Sequence, residues 1–246
     1  MGSWATIQFR SESVPKQDGI NVLIPDGKGP FPVLYLLHGL SDNHTAWQRW
    51  TSIERYAAEL KLIVVMPNGH RSWYVNDSRP GGLAYEDHIV RDVVGYVDRV
   101  LPTRRTRRGR AIAGLSMGGY GAMMLALRHP KMFCAASCHS SAFGFTRNLD
   151  VDRSDMQELA ARLPKGKYDV FALARKLARS GPMPAIRFDC GVDDFLLEHN
   201  REFHRHLEKL GVKHEYAEYP GEHNWAYWDE HVQQTLAFVM KQVAGR

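Results

Sequence analysis

The stretch Gly114-Leu115-Ser116-Met117-Gly118-Gly119 decides the fold that we predict for this chain. It has the pattern Gly-x-Ser-x-Gly of a nucleophile elbow, in which a serine stands on a sharp turn between a strand and a helix. Glycines suit this turn because the serine backbone is strained and bulky neighbours would clash with the strand and helix packed against it. The pattern alone is only moderately specific, since many matches to it are ordinary turns.

The residues on either side of this stretch supply the required context. Residues 110–113 are apolar and end at the first glycine, which predicts a buried strand. Residues 120–129 contain strong helix formers, are apolar on nearly every side and stop before Pro130, which predicts a buried helix. We therefore interpret Ser116 as a nucleophile, and a structural turn serine is the alternative.

Strands alternate with helices along the rest of the chain. This alternation indicates an α/β fold with a mostly parallel sheet of about eight strands and helices on both faces. Residues 1–246 are predicted to form one domain, in which residues 143–182 are a helical insertion over the active site. Strands are predicted at 5–10, 20–25, 33–37, 62–66, 110–113, 133–138, 184–190 and 214–219. Helices are predicted at 45–60, 85–100, 120–129, 155–163, 168–178, 195–210 and 225–243.

Composition indicates an ordinary water-soluble protein. Of the 246 residues 44% are hydrophobic and 24% are charged, and the net charge is +5. The densest basic run, 104–110, lies between a predicted helix and a predicted strand, which favours a solvated connecting loop over a phosphate-binding patch. It lacks interleaved aromatic residues, so we expect no nucleic-acid partner.

Targeting signals and cysteine content allow a prediction of the cellular compartment. No apolar stretch follows a basic N-terminus, and no run is long enough to span a bilayer, so neither a secretory signal nor a membrane partner is expected. Cys134, Cys138 and Cys190 lie in apolar strand-like segments, which predicts buried free thiols in a reducing compartment. These observations predict a cytoplasmic protein. Association of several copies is left open.

A serine nucleophile needs a base, and a carboxylate usually orients that base. His223 is the strongest of the twelve histidines, because it lies in a turn between a predicted strand and a predicted helix. A capping or packing histidine is its alternative interpretation. Asp193 and Asp194 both follow a predicted strand, and spacing alone does not choose between them. Glu222 is a weak third candidate, because a neighbour of the histidine rarely reaches its distal ring nitrogen.

The reacting carbonyl oxygen needs backbone donors as it becomes negative. The N–H of Met117, directly after Ser116, is one candidate. The segment that follows the central strand 33–37 supplies the other, from Leu40, since Gly39 lets the chain turn inward. Aromatic residues and one histidine near these segments are candidate pocket walls, although ordinary core positions are the alternative: His38, Trp47, Trp73, Phe143, Phe145 and Trp225.

Five segments from the third strand to the last helix share one family pattern. They are 36–43 (LLHGLSDN) with Trp47, 85–87 (YED), 114–119 (GLSMGG), 190–196 (CGVDDFL), and 220–225 (PGEHNW) with Trp228. Together they resemble the esterase D and S-formylglutathione hydrolase-related superfamily, most closely its tributyrin-esterase branch of short-chain carboxylesterases. The resemblance implies an α/β-hydrolase fold, no cofactor and no metal, and it makes Asp194 the acid.

The resemblance implies a serine carboxylesterase with Ser116, His223 and Asp194 as a catalytic triad. The substrate expected is a small ester with an acetyl to butyryl group. S-formylglutathione hydrolysis, acetyl-xylan or feruloyl ester hydrolysis, and acyl transfer to a sugar or alcohol are the enzymatic alternatives. A non-catalytic binding protein on the same fold is disfavoured, because all three triad residues occur in the required order.

Overall fold

The computed structural model describes residues 2–147, 158–159, 163–164 and 166–244, and an eight-stranded sheet forms its centre. The strand order is β1-β2-β4-β3-β5-β6-β7-β8, in which β2 is antiparallel to β1 and β4 and all other neighbours are parallel. The strands are β1 (Ser3–Arg10), β2 (Gln17–Ile24), β3 (Val33–Leu37), β4 (Ile63–Pro67), β5 (Arg110–Leu115), β6 (Ala135–His139), β7 (Ala185–Gly191) and β8 (Glu215–Tyr219).

The central strands are continuous apolar runs because helices cover both faces of the sheet. Every residue of β3 is buried, and its side chains alternate between two cores. Tyr35 packs in the core that includes the helix after Ser116, whereas Leu34 and Leu36 pack in the core that includes the last helix.

The helices follow the strands as the sequence predicts, with a few differences in extent. They are α1 (Ala46–Trp50), α2 (Ile53–Ala57), α3 (Tyr85–Asp87), α4 (Val94–Val100), α5 (Met117–Arg128), α6 (Val170–Ser180), α7 (Leu197–Lys209) and α8 (Trp225–Val243). A π-helical turn (His88–Val93) joins α3 to α4. The helix predicted at 168–178 is α6, while most of the one predicted at 155–163 lies outside the described residues.

The single helix predicted at 45–60 is wrong, since the chain forms two short helices there. Thr51 is extended, with φ −134° and ψ 167°, so α1 ends before it. The N–H of Ser52 donates to the side chain of Asp229 in α8 at 2.6 Å. A tertiary hydrogen bond therefore replaces the helical one at this point, which apolar spacing alone could not predict.

The arginine run 104–110 connects α4 to β5 as predicted, but several of its side chains bind the protein instead of facing only solvent. Arg104 donates to the Val243 carbonyl at 2.7 Å, Arg107 donates to the Pro130 carbonyl at 2.7 Å, and Arg110 pairs with Asp98. Part of this positive charge therefore binds the loop after α5, the end of α8 and a carboxylate of α4.

Two smaller predictions concern the cysteines and membrane spans. All three cysteines are buried free thiols, as predicted. Over the described ranges, no helix has the length and apolar character needed to cross a bilayer.

Aligned strand ends position the candidate site. In the parallel part of the sheet Leu37 pairs with Gly114, Leu115 with His139, and Gly191 with Tyr219. The loops that follow β3, β5, β7 and β8 therefore leave the same edge of the sheet, where ligands of open α/β sheets bind.

Candidate active site

Ser116 occupies the turn between β5 and α5. Its φ of 52° and ψ of −117° lie in a region that non-glycine residues rarely adopt. Its N–H donates to the His139 carbonyl at 2.9 Å and its carbonyl accepts from the Tyr120 N–H at 3.0 Å. Hydrogen bonds on both sides therefore hold the strained backbone, which is the geometry expected of a nucleophile elbow.

Close packing explains the glycines around this turn. A Cβ atom on Gly114 would lie 2.4 Å from the Gly118 carbonyl oxygen, and one on Gly118 would lie 2.5 Å from the His38 carbonyl oxygen. Any larger side chain at either position would push α5 away from the strand ends. The glycines thus allow the first turn of α5 to approach the segment after β3.

The structure brings Ser116, His223 and Asp194 together from three loops. His223 Nε2 lies 3.0 Å from Ser116 Oγ, and its Nδ1 lies 2.9 Å and 3.0 Å from the two carboxylate oxygens of Asp194. A carboxylate can only accept, so Nδ1–H is the donor and Nε2 can accept the Ser116 hydroxyl proton. The imidazole of His223 therefore bridges Ser116 and Asp194, which is the arrangement expected of a nucleophile, its base and the acid that orients the base.

The three candidates for the orienting acid differ in burial. Asp194 is buried, whereas Asp193 and Glu222 are exposed. Asp194 also accepts the Leu196 N–H at 2.8 Å, so the same carboxylate holds the turn that precedes α7. Burial opposes ionisation of this carboxyl, but hydrogen bonds from His223, Leu196 and Ser140 outweigh it and lower its pKa.

Two backbone N–H groups are candidates for binding the carbonyl oxygen. Met117 is the first residue of α5, and the first N–H groups of a helix have no acceptor within the helix. Leu40 follows Gly39, where an added Cβ atom would lie 3.8 Å from Ser116 Cβ. Both predicted donors therefore belong to segments that border Ser116.

His38 holds the Gly39–Leu40 segment from beneath. Its Nδ1 donates to the Gly39 carbonyl at 2.7 Å and its Nε2 accepts the Gly69 N–H at 2.8 Å, so the ring is neutral and both nitrogens are occupied. Complete burial lowers the pKa of His38 to about 4. It is a positioning residue for the loop, which differs from the pocket-wall role considered from the sequence.

The aromatic residues considered as pocket walls divide into core and rim. Phe143 is fully buried against Phe188 and Phe203, and we assign it to the core. Trp73 and Phe145 are also buried, and their rings stack at 3.6 Å. Neither position opens on solvent, so the apolar character that marked them in the sequence reflects core packing.

Trp47 and Trp225 lie nearer to the candidate triad. Trp47 is buried, donates its Nε1–H to the Leu37 carbonyl at 2.9 Å and packs edge-on against Trp225. Trp225 is partly exposed and packs edge-on against Trp228, whose ring lies 4.9 Å from the His223 ring. Of the six candidates, Trp225 is the one whose position best fits a pocket rim.

Ser140, which influences the candidate acid Asp194, was not predicted from the sequence. Ser140 is fully buried, its φ is 47°, and it accepts the Trp228 Nε1–H at 3.1 Å. The Ser140 hydroxyl also helps to lower the pKa of the Asp194 carboxyl. No motif marks Ser140; its place one residue after β6 is the available signal.

A second histidine–aspartate pair lies in the core beneath the elbow. His139 Nδ1 is 2.9 Å from Asp189 Oδ2, and His139 Nε2 is 2.8 Å from Thr235 Oγ1. Asp189 also accepts hydrogen bonds from Arg187 at 2.5 Å and Tyr227 at 2.8 Å. Burial would raise the pKa of Asp189, but His139, Arg187 and Tyr227 lower it to about 2.

A cavity of about 570 Å³ is lined in large part by the loop that follows β4. Its lining includes Lys16, His70, Arg71, Arg79 and Tyr85, and it does not include the three candidate triad residues. Arg79 forms a bidentate ion pair with Asp77, so part of the positive charge is already neutralised. The cavity is therefore not the candidate reaction site.

The strand order, the strained serine and the three-residue contact define an α/β-hydrolase. The family model described as "Putative esterase" matches residues 11–239. The chain belongs to this esterase family, within the esterase D and S-formylglutathione hydrolase-related superfamily, which confirms the predicted fold and the prediction of an ester hydrolase.

Relatives agree with this family. The chain is 26% identical to an acetyl esterase of Caldicellulosiruptor saccharolyticus, over 96% of this chain and 97% of that protein. It is 32% identical to the substrate-bound structure of FphF, a fluorophosphonate-binding serine hydrolase of Staphylococcus aureus, with a TM-score of 0.90 over 97% of this chain and 98% of that one. It is 31% identical to the S-formylglutathione hydrolase FrmB of Staphylococcus aureus, with a TM-score of 0.88 over 97% and 99% of the two chains.

Proposed function

We propose that this protein hydrolyses carboxylic esters with short acyl groups, acetyl to butyryl, through an acyl-enzyme on Ser116. The observation that carries the proposal is the continuous contact from Ser116 Oγ to His223 Nε2 and from His223 Nδ1 to Asp194. Similarity to an acetyl esterase supports the small acyl group.

Each residue has one task in this mechanism. Ser116 Oγ attacks the ester carbon as its proton passes to His223 Nε2, and Asp194 stabilises the resulting imidazolium. The N–H groups of Leu40 and Met117 bind the oxyanion. His223 then gives the proton to the leaving alkoxide, which departs as the alcohol.

The second half of the reaction repeats these steps with water. His223 takes a proton from a water molecule, and the hydroxide attacks the acyl-enzyme carbon. Collapse of this intermediate returns the proton to Ser116 Oγ and releases the carboxylic acid. Atoms and charge balance with water as the only co-reactant, so the mechanism uses only side chains and backbone groups of this chain.

Hydrolysis of p-nitrophenyl acetate and butyrate tests this proposal. We expect Ser116→Ala to lower kcat about 10³-fold or more, because no other group here replaces the nucleophile. Ser180→Ala, an exposed serine at the end of α6, is the matched control and is expected to leave kcat unchanged. Near-normal activity of Ser116→Ala would contradict the mechanism. Faster hydrolysis of octanoyl than of butyryl esters would contradict the acyl length.

S-formylglutathione hydrolysis is a second candidate, and the similarity to FrmB favours it. A thioester would react through an acyl-enzyme on the same serine, a formyl-enzyme in this case, so the triad does not separate the two substrates. Comparison of kcat/KM for S-formylglutathione with that for p-nitrophenyl acetate decides between them. A value for the thioester that is higher by about 10²-fold, or about 2.7 kcal/mol, would make it the preferred substrate class.

A further inference from the structure

Phe195 is the most exposed large apolar side chain among the described residues, with 76% of its surface accessible. It follows Asp194 directly and lies on the turn between β7 and α7. A ring that is exposed to this extent gains little from burial, so it contributes little to folding. Val192, on the same turn, is also exposed.

The ring of Phe195 lies against the proposed catalytic base. Its centroid is 4.5 Å from that of the His223 imidazole, at an interplanar angle of 49°. Trp228, which is buried, also packs edge-on against His223, and Asp194 already fixes the Nδ1 side of the imidazole. Because these two residues hold the imidazole, Phe195 is not needed to position it.

The chemistry of acylation determines which part of the substrate lies there. His223 Nε2 must return its proton to the leaving oxygen, so that oxygen has to come within hydrogen-bond distance of Nε2. The Phe195 ring is exposed and its centroid lies 4.5 Å from that of the imidazole, so it is available to the alcohol group attached to this oxygen. The acyl group is instead bonded to Ser116, with its oxygen directed at the N–H groups of Leu40 and Met117.

We propose that Phe195 is a specificity-determining residue that binds the alcohol part of the ester and favours aromatic alcohols over small alkyl alcohols. This inference rests on the proposed function, since it assigns the alcohol side of the same site. An aromatic alcohol would pack on the exposed Phe195 ring in the transition state for acylation. Aromatic pairs contribute enough to give about a three- to ten-fold preference.

Benzyl acetate and ethyl acetate provide the test, because they share the acyl group and their alcohols have similar acidity. We expect Phe195→Ala to lower kcat/KM for benzyl acetate about three- to ten-fold relative to ethyl acetate. Phe195→Leu, which keeps apolar bulk without a ring, is expected to give an intermediate ratio. Deacylation of the acetyl-enzyme, measured in a single turnover, should not change because the alcohol has already left.

Trp4→Ala is the matched control, since Trp4 is an exposed aromatic residue on β1, at the opposite edge of the sheet from β8. It should leave the benzyl to ethyl ratio at the wild-type value. An unchanged ratio in Phe195→Ala, or an equal loss on both esters, would overturn the proposal. Undiminished hydrolysis of both esters by Ser116→Ala would instead overturn the proposed function, so the two failures are distinguishable.

Discussion

Two histidine–aspartate pairs lie close together in this molecule and have the same local arrangement. In each pair Nδ1 of the imidazole faces a carboxylate and Nε2 faces a hydroxyl group. One set is Ser116, His223 and Asp194, and the other is Thr235, His139 and Asp189. The two sets are linked through the backbone, because the Ser116 N–H donates to the His139 carbonyl.

Their surroundings differ. The His223 side chain is 17% exposed, whereas the side chains of His139 and Asp189 are completely buried. Ser116 stands on a strained turn beside candidate oxyanion donors, whereas Thr235 lies inside α8, where the backbone N–H groups are used by the helix. Asp189 has Arg187 and Tyr227 as additional partners.

A hydroxyl–imidazole–carboxylate contact is not by itself sufficient for catalysis. A substrate must reach the hydroxyl, and donors must face the oxyanion that forms. The buried set satisfies neither requirement, so we interpret it as the support of the elbow. Substitutions of equivalent groups in the two sets should therefore affect different properties of the protein.

Among the carboxylate, histidine and supporting-serine substitutions, Asp194→Asn should have the largest effect on activity. Asparagine cannot accept the Nδ1–H in the same way, so the imidazole loses the tautomer that accepts the serine proton, and kcat should fall about 10⁴-fold. Steady-state hydrolysis of p-nitrophenyl acetate measures this. Asp193→Asn, at the exposed neighbour, is the matched control with unchanged kcat. The opposite result for the two variants would assign the acid to Asp193.

Asp189→Asn should reduce stability instead. Arg187 would keep a buried charge without its carboxylate, which lowers the free energy of unfolding by about 3–5 kcal/mol. Urea unfolding measures the loss, and kcat per titrated active site should stay within about three-fold of wild type. Thr235→Val, a milder change in the same set, should cost about 1 kcal/mol and fold normally. A loss of kcat comparable to that of Asp194→Asn would contradict the supporting role.

His38 is a third buried or partly buried histidine near the elbow. Unlike His223 and His139, its two ring nitrogens bind backbone groups and no carboxylate. Its pKa is about 4 in the folded protein, against 6.5 as the ordinary value. The unfolded chain therefore binds the proton first as pH falls, so this contribution to stability is intact above 6.5 and is lost between 6.5 and about 4. The loss at the acidic end is on the order of 3 kcal/mol.

Urea unfolding between about pH 7.5 and 4.5 tests this dependence on the wild type and on His38→Gln. The difference in unfolding free energy between the two proteins should shrink as the pH falls, because glutamine does not titrate. Taking the difference removes the contributions of the other histidines. A difference that is constant over this range would contradict the neutral, buried state of His38.

Ser140→Ala should have the smallest effect of the four. Without the Ser140 hydroxyl the pKa of Asp194 rises, so the acidic limb of the kcat profile should move to higher pH. At neutral pH kcat should fall about ten-fold with little change in KM, since Ser140 acts through Asp194 and not on substrate. Ser137→Ala, at a serine that bonds Thr235 in the buried set, should leave the acidic limb unmoved. An unshifted limb in Ser140→Ala would contradict its positioning role.

The sequence predicted the elements whose signals are local. The elbow at 114–119, the alternation of strands and helices, and the candidate residues Ser116 and His223 all follow from short patterns. The choice of Asp194 over Asp193 needed the family resemblance, because adjacent aspartates have the same local signal. The break at Thr51 and the effect of Ser140 on the pKa of Asp194 depend on partners far away in the chain, so no local pattern marks them.

The burial of the aromatic residues also could not be predicted from local sequence patterns. Phe143 and Trp225 are both aromatic residues near segments of the predicted site, and their sequence gives them the same status. Phe143 is nevertheless fully buried, whereas Trp225 is partly exposed near His223. Burial is set by which helices cover a position, and that depends on the whole fold. Phe195 is the exposed residue beside His223. It lies in segment 190–196 of the family pattern, but no apolar periodicity there indicates that it contacts substrate.

Labelling with a fluorophosphonate probe tests the central claim most directly, because the probe bonds only to a serine that is activated as a nucleophile. Peptide mass analysis of the labelled protein should place one adduct on Ser116. Ser116→Ala should remove the adduct, His223→Ala should slow labelling strongly, and Thr235→Val should label as wild type does. Absence of an adduct, or an adduct on any other residue, would contradict the account.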